Sequence, residues 1–284
     1  MQALSEQIED VILQHDNRGM RELRKSLSPG YCCRAARLIL DNPGTVLIGT
    51  GFPVSGSFES DGPIGAIALY RVLTELNCDP VMVCAPPISR ILNRNFRTYE
   101  LPLVDWEKSE PVVESALKEL APSLIVSIER PGVTADGSYY NMHRKDISRF
   151  TAKFDLFLLK SRCPSIAVGD GGNEIGMGNV RAAVIAMDII PAITTCDELV
   201  IASVSNWGAY GIIAALCRLV NRDLFDIFDP QTIANYLVDN GCVDGVTTLQ
   251  ESSEDGFPIS VGLEIIDQLR NLVFKDQPGG EQSR

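Results

Sequence analysis

Ser165-Ile166-Ala167-Val168-Gly169-Asp170-Gly171-Gly172-Asn173-Glu174 is an apolar run that breaks directly into a glycine-rich, acidic turn. A short apolar stretch closed by turn residues reads as a buried strand. Glycines let the following backbone take positive φ and approach a ligand closely. A helix predicted over 174–187 would then place free N-terminal amides beside Asp170, Asn173 and Glu174.

The same unit repeats along the chain. Thr45-Val46-Leu47-Ile48 ends in Gly49-Thr50-Gly51, and Pro80 to Cys84 ends in Pro86-Pro87. Ser123 to Ile128 ends in Glu129-Arg130-Pro131-Gly132, and Leu199 to Ala202 runs on to Ser205-Asn206. Leu101 to Trp106 is a weaker strand candidate. Helical spacing fills 62–76, 109–120, 207–220 and 259–273. Two further helices precede the first strand, one carrying Leu4, Ile8, Val11 and Ile12 and one over Tyr31 to Asp41. Apolar strands alternating with helices predict an α/β fold: a three-layer αβα sandwich around a mainly parallel, Rossmann-like sheet. With no repeat and no linker, residues 1–284 read as one domain. Its parts are a helical segment over about 1–42, a core over about 43–275 and a polar tail over 276–284.

Bulk properties narrow the function. A net charge of −12 over 284 residues repels phosphate backbones, so no nucleic-acid partner is expected. No stretch of roughly 18 apolar residues and no signal peptide is visible, so the expectation is a cytoplasmic protein without a membrane partner. Eight cysteines lack Cys-x-x-Cys spacing and read as reduced, buried thiols. The N-terminal amphipathic helix could serve a homo-oligomer contact.

Polar residues gather where predicted strands end, which is where open parallel sheets bind ligands. Gly169–Gly178 lacks the G-x-G-x-x-G spacing and any following Gly-Lys-Ser/Thr, so it is neither a dinucleotide fingerprint nor a P-loop. Asp170, Asn173 and Glu174 could instead hold an ammonium group or a divalent cation, Mg or Mn, with no organic cofactor. After the first strand, Asp61 could be a helix cap, whereas Glu59 has no evident structural duty. After the third, Glu129 would be partly buried with a raised pKa, suited to general acid–base work. Arg130 could grip a carboxylate, or pair internally. Arg90, Arg94 and Arg97 would share one helical face, read as a solvated basic surface.

Three segments resemble a known family. Glu59-Ser60-Asp61-Gly62-Pro63-Ile64-Gly65-Ala66, Glu129 to Gly132 with Asp136-Gly137-Ser138-Tyr139-Tyr140-Asn141, and Gly169 to Gly178 are similar to hallmark segments of the D-glutamate cyclase C-terminal domain family. Val243 to Thr247 and Asp255-Gly256 look similar too, and the resemblance spans roughly Gly44 to Ile266. It implies a lyase that dehydrates D-glutamate to 5-oxo-D-proline, with a small acidic amino acid as its partner. On this reading Glu129 or Asp136 takes the amine proton, and Tyr139 or Tyr140 protonates the departing oxygen. Amides at Gly171, Gly172 and Asn173 hold one carboxylate and Arg130 the other. Asp170 and Glu174 hold the ammonium or a metal, and Glu59, Asp61 and Asn141 complete the pocket. Two alternatives stand beside it: a metal-dependent phosphate- or nucleotide-handling enzyme, and a non-catalytic binding domain.

Overall fold

The computed structural model describes residues 1–275; the polar tail predicted over 276–284 lies outside the described residues. Six parallel strands form one sheet: β1 (Thr45–Gly49), β2 (Asp79–Cys84), β3 (Thr98–Glu100), β4 (Leu124–Ile128), β5 (Ser165–Gly169) and β6 (Glu198–Ile201). Their spatial order is β3-β2-β1-β4-β5-β6, the doubly wound order of two mononucleotide-binding halves. The order reverses between β1 and β4, which pair in register from Val46↔Leu124 to Gly49↔Ser127. A crevice therefore opens beyond Gly49 and Ile128.

Alternation along the strands builds three layers. Val46, Ile48, Met82, Cys84, Leu124, Val126 and Ile128 enter one core. Leu47, Val81, Val83 and Ile125 enter another on the opposite face. The second core is closed by helix Trp106–Leu120 and by Phe154 and Phe157. The first is thicker. Helix Ser205–Val220 is apolar on every side and buried from Ser205 through Cys217, as a helix enclosed on all faces must be. Helices Gln2–Ile12, Tyr31–Asp41, Pro63–Glu75 and Ile259–Phe274 pack around it. Ile8 and Ile12 are fully buried there, so the apolar stripe of the first helix is used inside the chain. His15 lies beyond that helix's end with φ +59, beside the rings of Trp207 and Phe257.

Two predicted elements differ. The edge strand is Thr98–Glu100 rather than 101–106, because Pro102 has no N–H to extend a ladder. No helix covers 174–187: a 3-10 turn at Met177–Val180 and a short helix at Arg181–Ile185 occupy it. Glu174 bridges Pro131, and Ile175 and Gly176 donate to the carbonyls of Arg130 and Thr194. Gly178 is pressed so close to the Ile193 carbonyl that a Cβ there would lie 2.3 Å from it. Tertiary stitching thus overrides helical spacing.

Candidate active site

The loops leaving β1, β4 and β5 converge on the crevice, and a cavity of 1420 Å³ opens above them. Glu59, Asp61, Glu129, Asp170 and Asn173 line it, joined by Arg18 and Asp255. Asn141, His143, Lys145, Arg149, Phe150 and Val246 stand around it as well.

Asp61 is a cap, though not of its own helix. Its carboxylate accepts from the backbone N–H of Ser205 (2.9 Å) and Asn206 (2.8 Å), starting helix Ser205–Val220. Asn206 returns the favour: its Oδ1 accepts from the N–H of Gly62 (2.9 Å) and Gly65 (2.7 Å), starting helix Pro63–Glu75. Two positive helix ends are thereby directed at the crevice. Gly62 has φ +88 and lies against Glu129, where a Cβ would come within 2.6 Å of the Glu129 Cβ. Glu129 itself takes φ +47 straight after β4, an uncommon conformation for a non-glycine residue that must be held by its surroundings. The Ser205 hydroxyl donates to Glu129 Oε2 at 2.6 Å.

Arg18, which sequence reasoning did not single out, is the cation of the floor. Its guanidinium bonds Asp170 Oδ1 at 2.6 Å and pairs with Asp255. Asp255 is brought there by the turn of a small hairpin, Ser253–Glu254 with Phe257–Pro258. Glu254 anchors that hairpin by accepting from Trp207 Nε1 (2.7 Å) and Asn206 Nδ2 (2.9 Å). Asp244 pins the adjoining loop through the amides of Val246, Thr247 and Gly256. Gly245 lies against Glu59 Oε2, so a side chain there would have to displace that carboxylate. Only the family resemblance flagged this C-terminal loop, and nothing in the periodicity flagged Arg18.

The electrostatics follow from crowding. Burial pushes Glu59, Glu129 and Asp170 well above the carboxylate range, reinforced by their acidic neighbours. Asp61 and Asp255 are pushed up to about 7, again by burial first. Burial opposes charge on Arg18, but Asp170 and Asp255 more than compensate and hold it firmly protonated. One fixed cation cannot neutralise five buried carboxyls, so this floor retains protons or gathers cations near neutral pH.

Other predicted residues lie elsewhere. Arg130 is buried, with its guanidinium donating to the carbonyls of Gly51 (2.7 Å) and Ala152 (2.7 Å); it ties loops together and does not line the cavity. Tyr139 is fully buried and its hydroxyl donates to Asp155 at 2.8 Å. Asp136 is exposed and accepts from Thr134, Ser138 and Tyr140, whose hydrogen bonds lower it to about 2. The Gly172 amide, expected to hold a ligand anion, donates to Glu174 Oε2 at 2.6 Å. The turn from Gly171 to Asn173 therefore binds its own carboxylate. Asn173 Nδ2 donates to the Tyr140 carbonyl, while its Oδ1 is buried without a partner. Asn141 Oδ1 accepts from the amides of His143 and Lys145 at the cavity wall. Arg90 and Arg97 pair on the surface with Glu100 and Asp79, and Arg94 bonds Asn240.

The chain is 33% identical over 210 residues to a human protein, D-glutamate cyclase, mitochondrial; the match covers 64% of this chain and 34% of that protein. The chain thus spans about a third of that relative's length. Among solved structures it is similar to an exopolyphosphatase-related protein from Bacteroides fragilis, with 12% identity and a TM-score of 0.38, over 87% of this chain and 61% of that one. The family described as D-glutamate cyclase-like, C-terminal, matches residues 8–270, a span that includes Arg18 and Asp255 as well as the three acidic loops. The chain belongs to the D-glutamate cyclase-like C-terminal family.

Proposed function

We propose that the chain is a lyase of the D-glutamate cyclase type, closing D-glutamate to 5-oxo-D-proline or running the same ring closure on a closely related acidic amino acid. The reading is carried by one observation: buried carboxyls with raised pKa values converge on one arginine at the switch point of the sheet. In the reaction the α-nitrogen bonds to the γ-carboxyl carbon, and one carboxyl oxygen leaves as water. Two of the three ammonium protons end on that oxygen. The site must therefore accept protons from nitrogen and return them to oxygen, which suits a floor on which Asp61 and Asp255 are pushed up to about 7.

Glu129 and Glu59 are the proton-transfer groups in this reading, since both reach the cavity and both are buried. Asp136 and Tyr139 drop out of the roles first assigned to them because neither lines the cavity. The basic side chains at the wall, Lys145 and Arg149, supply the charge that Arg130 was expected to offer a substrate carboxylate. Holding the chain curled between wall and floor brings amine and carboxyl together.

The test is to follow 5-oxoproline by NMR after adding D-glutamate, then L-glutamate, to the purified chain, with and without Mg²⁺ or Mn²⁺. Product from one enantiomer is expected, and no product under any condition refutes the reading. A second reading, a ligand-binding part of a longer enzyme, is favoured by the match to only 34% of the relative. Saturable binding of D-glutamate without turnover is its signature.

A further inference from the structure

The cavity is far larger than a free amino acid needs. Glutamate's ten non-hydrogen atoms fill at most about 300 Å³ even at the roughly 30 Å³ that a liquid water takes, and the cavity offers 1420 Å³. Its outer wall is also of the wrong character for glutamate alone. Leu103 and Phe150 stand there with 40% and 45% of their surfaces exposed, and glutamate has only two methylenes to set against them.

We propose that the substrate is a γ-glutamyl amide of an apolar amino acid, a γ-D-glutamyl dipeptide. Its glutamyl end lies on the carboxyl floor and its second residue against Leu103, Lys145, Arg149 and Phe150. This rests on the ring-closing lyase reading and changes only the leaving group.

The wall carries the features such a second residue requires. Lys145 and Arg149 both line it, and among the described residues neither is in an ion pair. Asp146 beside them accepts from the Ser148 amide at 2.8 Å. The Arg149 guanidinium lies over the Phe150 ring, 4.6 Å from its centroid, so a cation and an apolar face are presented together. That combination matches the carboxylate and the side chain of one amino acid.

The floor favours the same substrate for an independent reason. Glu59, Asp61, Glu129, Asp170 and Asp255 crowd around Arg18. A γ-carboxylate brought among them adds one more negative charge to a buried acidic cluster, whereas a γ-amide carbonyl is neutral and meets less repulsion. An amide carbon is also a better electrophile than a carboxylate carbon. The dipeptide still carries two carboxylates and one ammonium, as glutamate does, but its second carboxylate is moved from the floor to the basic wall.

The step balances without a further reactant. The α-nitrogen bonds to the γ-carbonyl carbon. The bond from that carbon to the second residue's nitrogen breaks, and its electron pair stays on that nitrogen. Two of the three ammonium protons pass to the departing nitrogen, which leaves as an ammonium. Glu59 and Glu129 thus carry the same proton traffic as in the loss of water. The products are 5-oxo-D-proline and the free amino acid in equal amounts.

The test supplies the full chain, with Mg²⁺ or Mn²⁺ present, with γ-D-glutamyl-phenylalanine, γ-D-glutamylglycine, the phenylalanine compound capped as its amide, and free D-glutamate. NMR follows 5-oxoproline and the released amine against an enzyme-free control. kcat/KM for γ-D-glutamyl-phenylalanine should exceed that for D-glutamate by about tenfold or more, the worth of a half-buried aromatic ring. The glycine compound should fall back by a similar factor, and the capped compound by about fivefold through the lost ion pair. K145A combined with R149A should raise KM for the dipeptide and erase its advantage over the capped compound; both side chains are exposed, so the fold does not depend on them. Phe150→Ser should erase the preference for phenylalanine over glycine. Turnover of D-glutamate with none of the dipeptide overturns the proposal and leaves the lyase standing. A dipeptide no better than D-glutamate, or a preference that ignores the cap and these variants, also overturns it. So does release of glutamate in place of 5-oxoproline, which is hydrolysis. Turnover of the dipeptide without D-glutamate upholds the substrate class and refutes the dehydration, and no turnover of any compound refutes both.

Discussion

Replacing Asp255 by asparagine tests whether the floor holds protons that the unfolded chain gives up. Asparagine keeps the shape of a neutral carboxyl and leaves Arg18 paired with Asp170. In the folded chain Asp255 is raised from 3.8 to about 7, chiefly by burial and by Asp170. Between those values the native state keeps a proton that the unfolded state has lost. Stability is therefore greater on the acid side and falls as pH rises through the window. From pH 5 to pH 8 this one group lowers stability by about 3 kcal/mol. In a chain of this size that is a fall of about 5 °C in unfolding midpoint. Asp61, also near 7, adds to the fall, though repelling groups titrate together rather than independently. The assay is thermal unfolding of wild type and D255N across pH 5 to 8 in chelator. The wild type should lose several degrees more than the variant. A wild-type midpoint that stays flat or rises, or a variant profile parallel to it, refutes the reasoning.

Other consequences are direct. Glu129→Gln should lower kcat by about 10²-fold or more if Glu129 moves a proton, and steady-state turnover of D-glutamate reads it. Gly62→Ala puts a methyl group 2.6 Å from the Glu129 Cβ at φ +88; a loss of about 2–4 kcal/mol in denaturant unfolding is expected, with activity falling alongside. Tyr139→Phe removes the hydrogen bond to Asp155 and should cost about 1–3 kcal/mol of stability while leaving kcat within about twofold; a kcat collapse in folded protein would return Tyr139 to the chemistry. Arg18→Met strips the countercharge from Asp170 and Asp255, so its destabilisation should shrink from pH 8 to pH 5 as those acids take up protons.

The sheet was legible because β1, β4 and β5 are continuous apolar runs, which only a two-sided parallel sheet requires. The floor was half legible for a related reason: Glu59, Asp61, Glu129 and Asp170 follow strand ends, and strand ends can be read. Arg18 could not be found this way. It meets Asp255 across 237 residues, and no local pattern encodes a contact of that range. Arg130 misled because polarity at a strand end is shared by residues that serve a ligand and residues that tie loops together, and Tyr139 entered only through the family resemblance. The side chain of Arg130 reaches carbonyls on two separate loops, a use that only the packed structure reveals. The segment after Gly169 failed because Gly176 and Gly178 fit close backbone approaches that helical spacing does not register.

The reciprocal caps of Asp61 and Asn206 divide the site mechanically. Each helix start is held by a side chain from the other, and Gly65 brings the two axes so close that a Cβ would meet Ala209 at 2.9 Å. Neither helix can slide or fray alone without unlatching its neighbour. The floor therefore behaves as a clamped hinge plate, with its carboxylates fixed before any ligand arrives. Adjustment to a ligand falls to the opposite wall, to the segments 141–150 and 245–249 that carry the exposed Phe150, Val246 and Leu249. Variation in what the cavity admits should map to that wall, and variation in what the cavity can do should map to the plate.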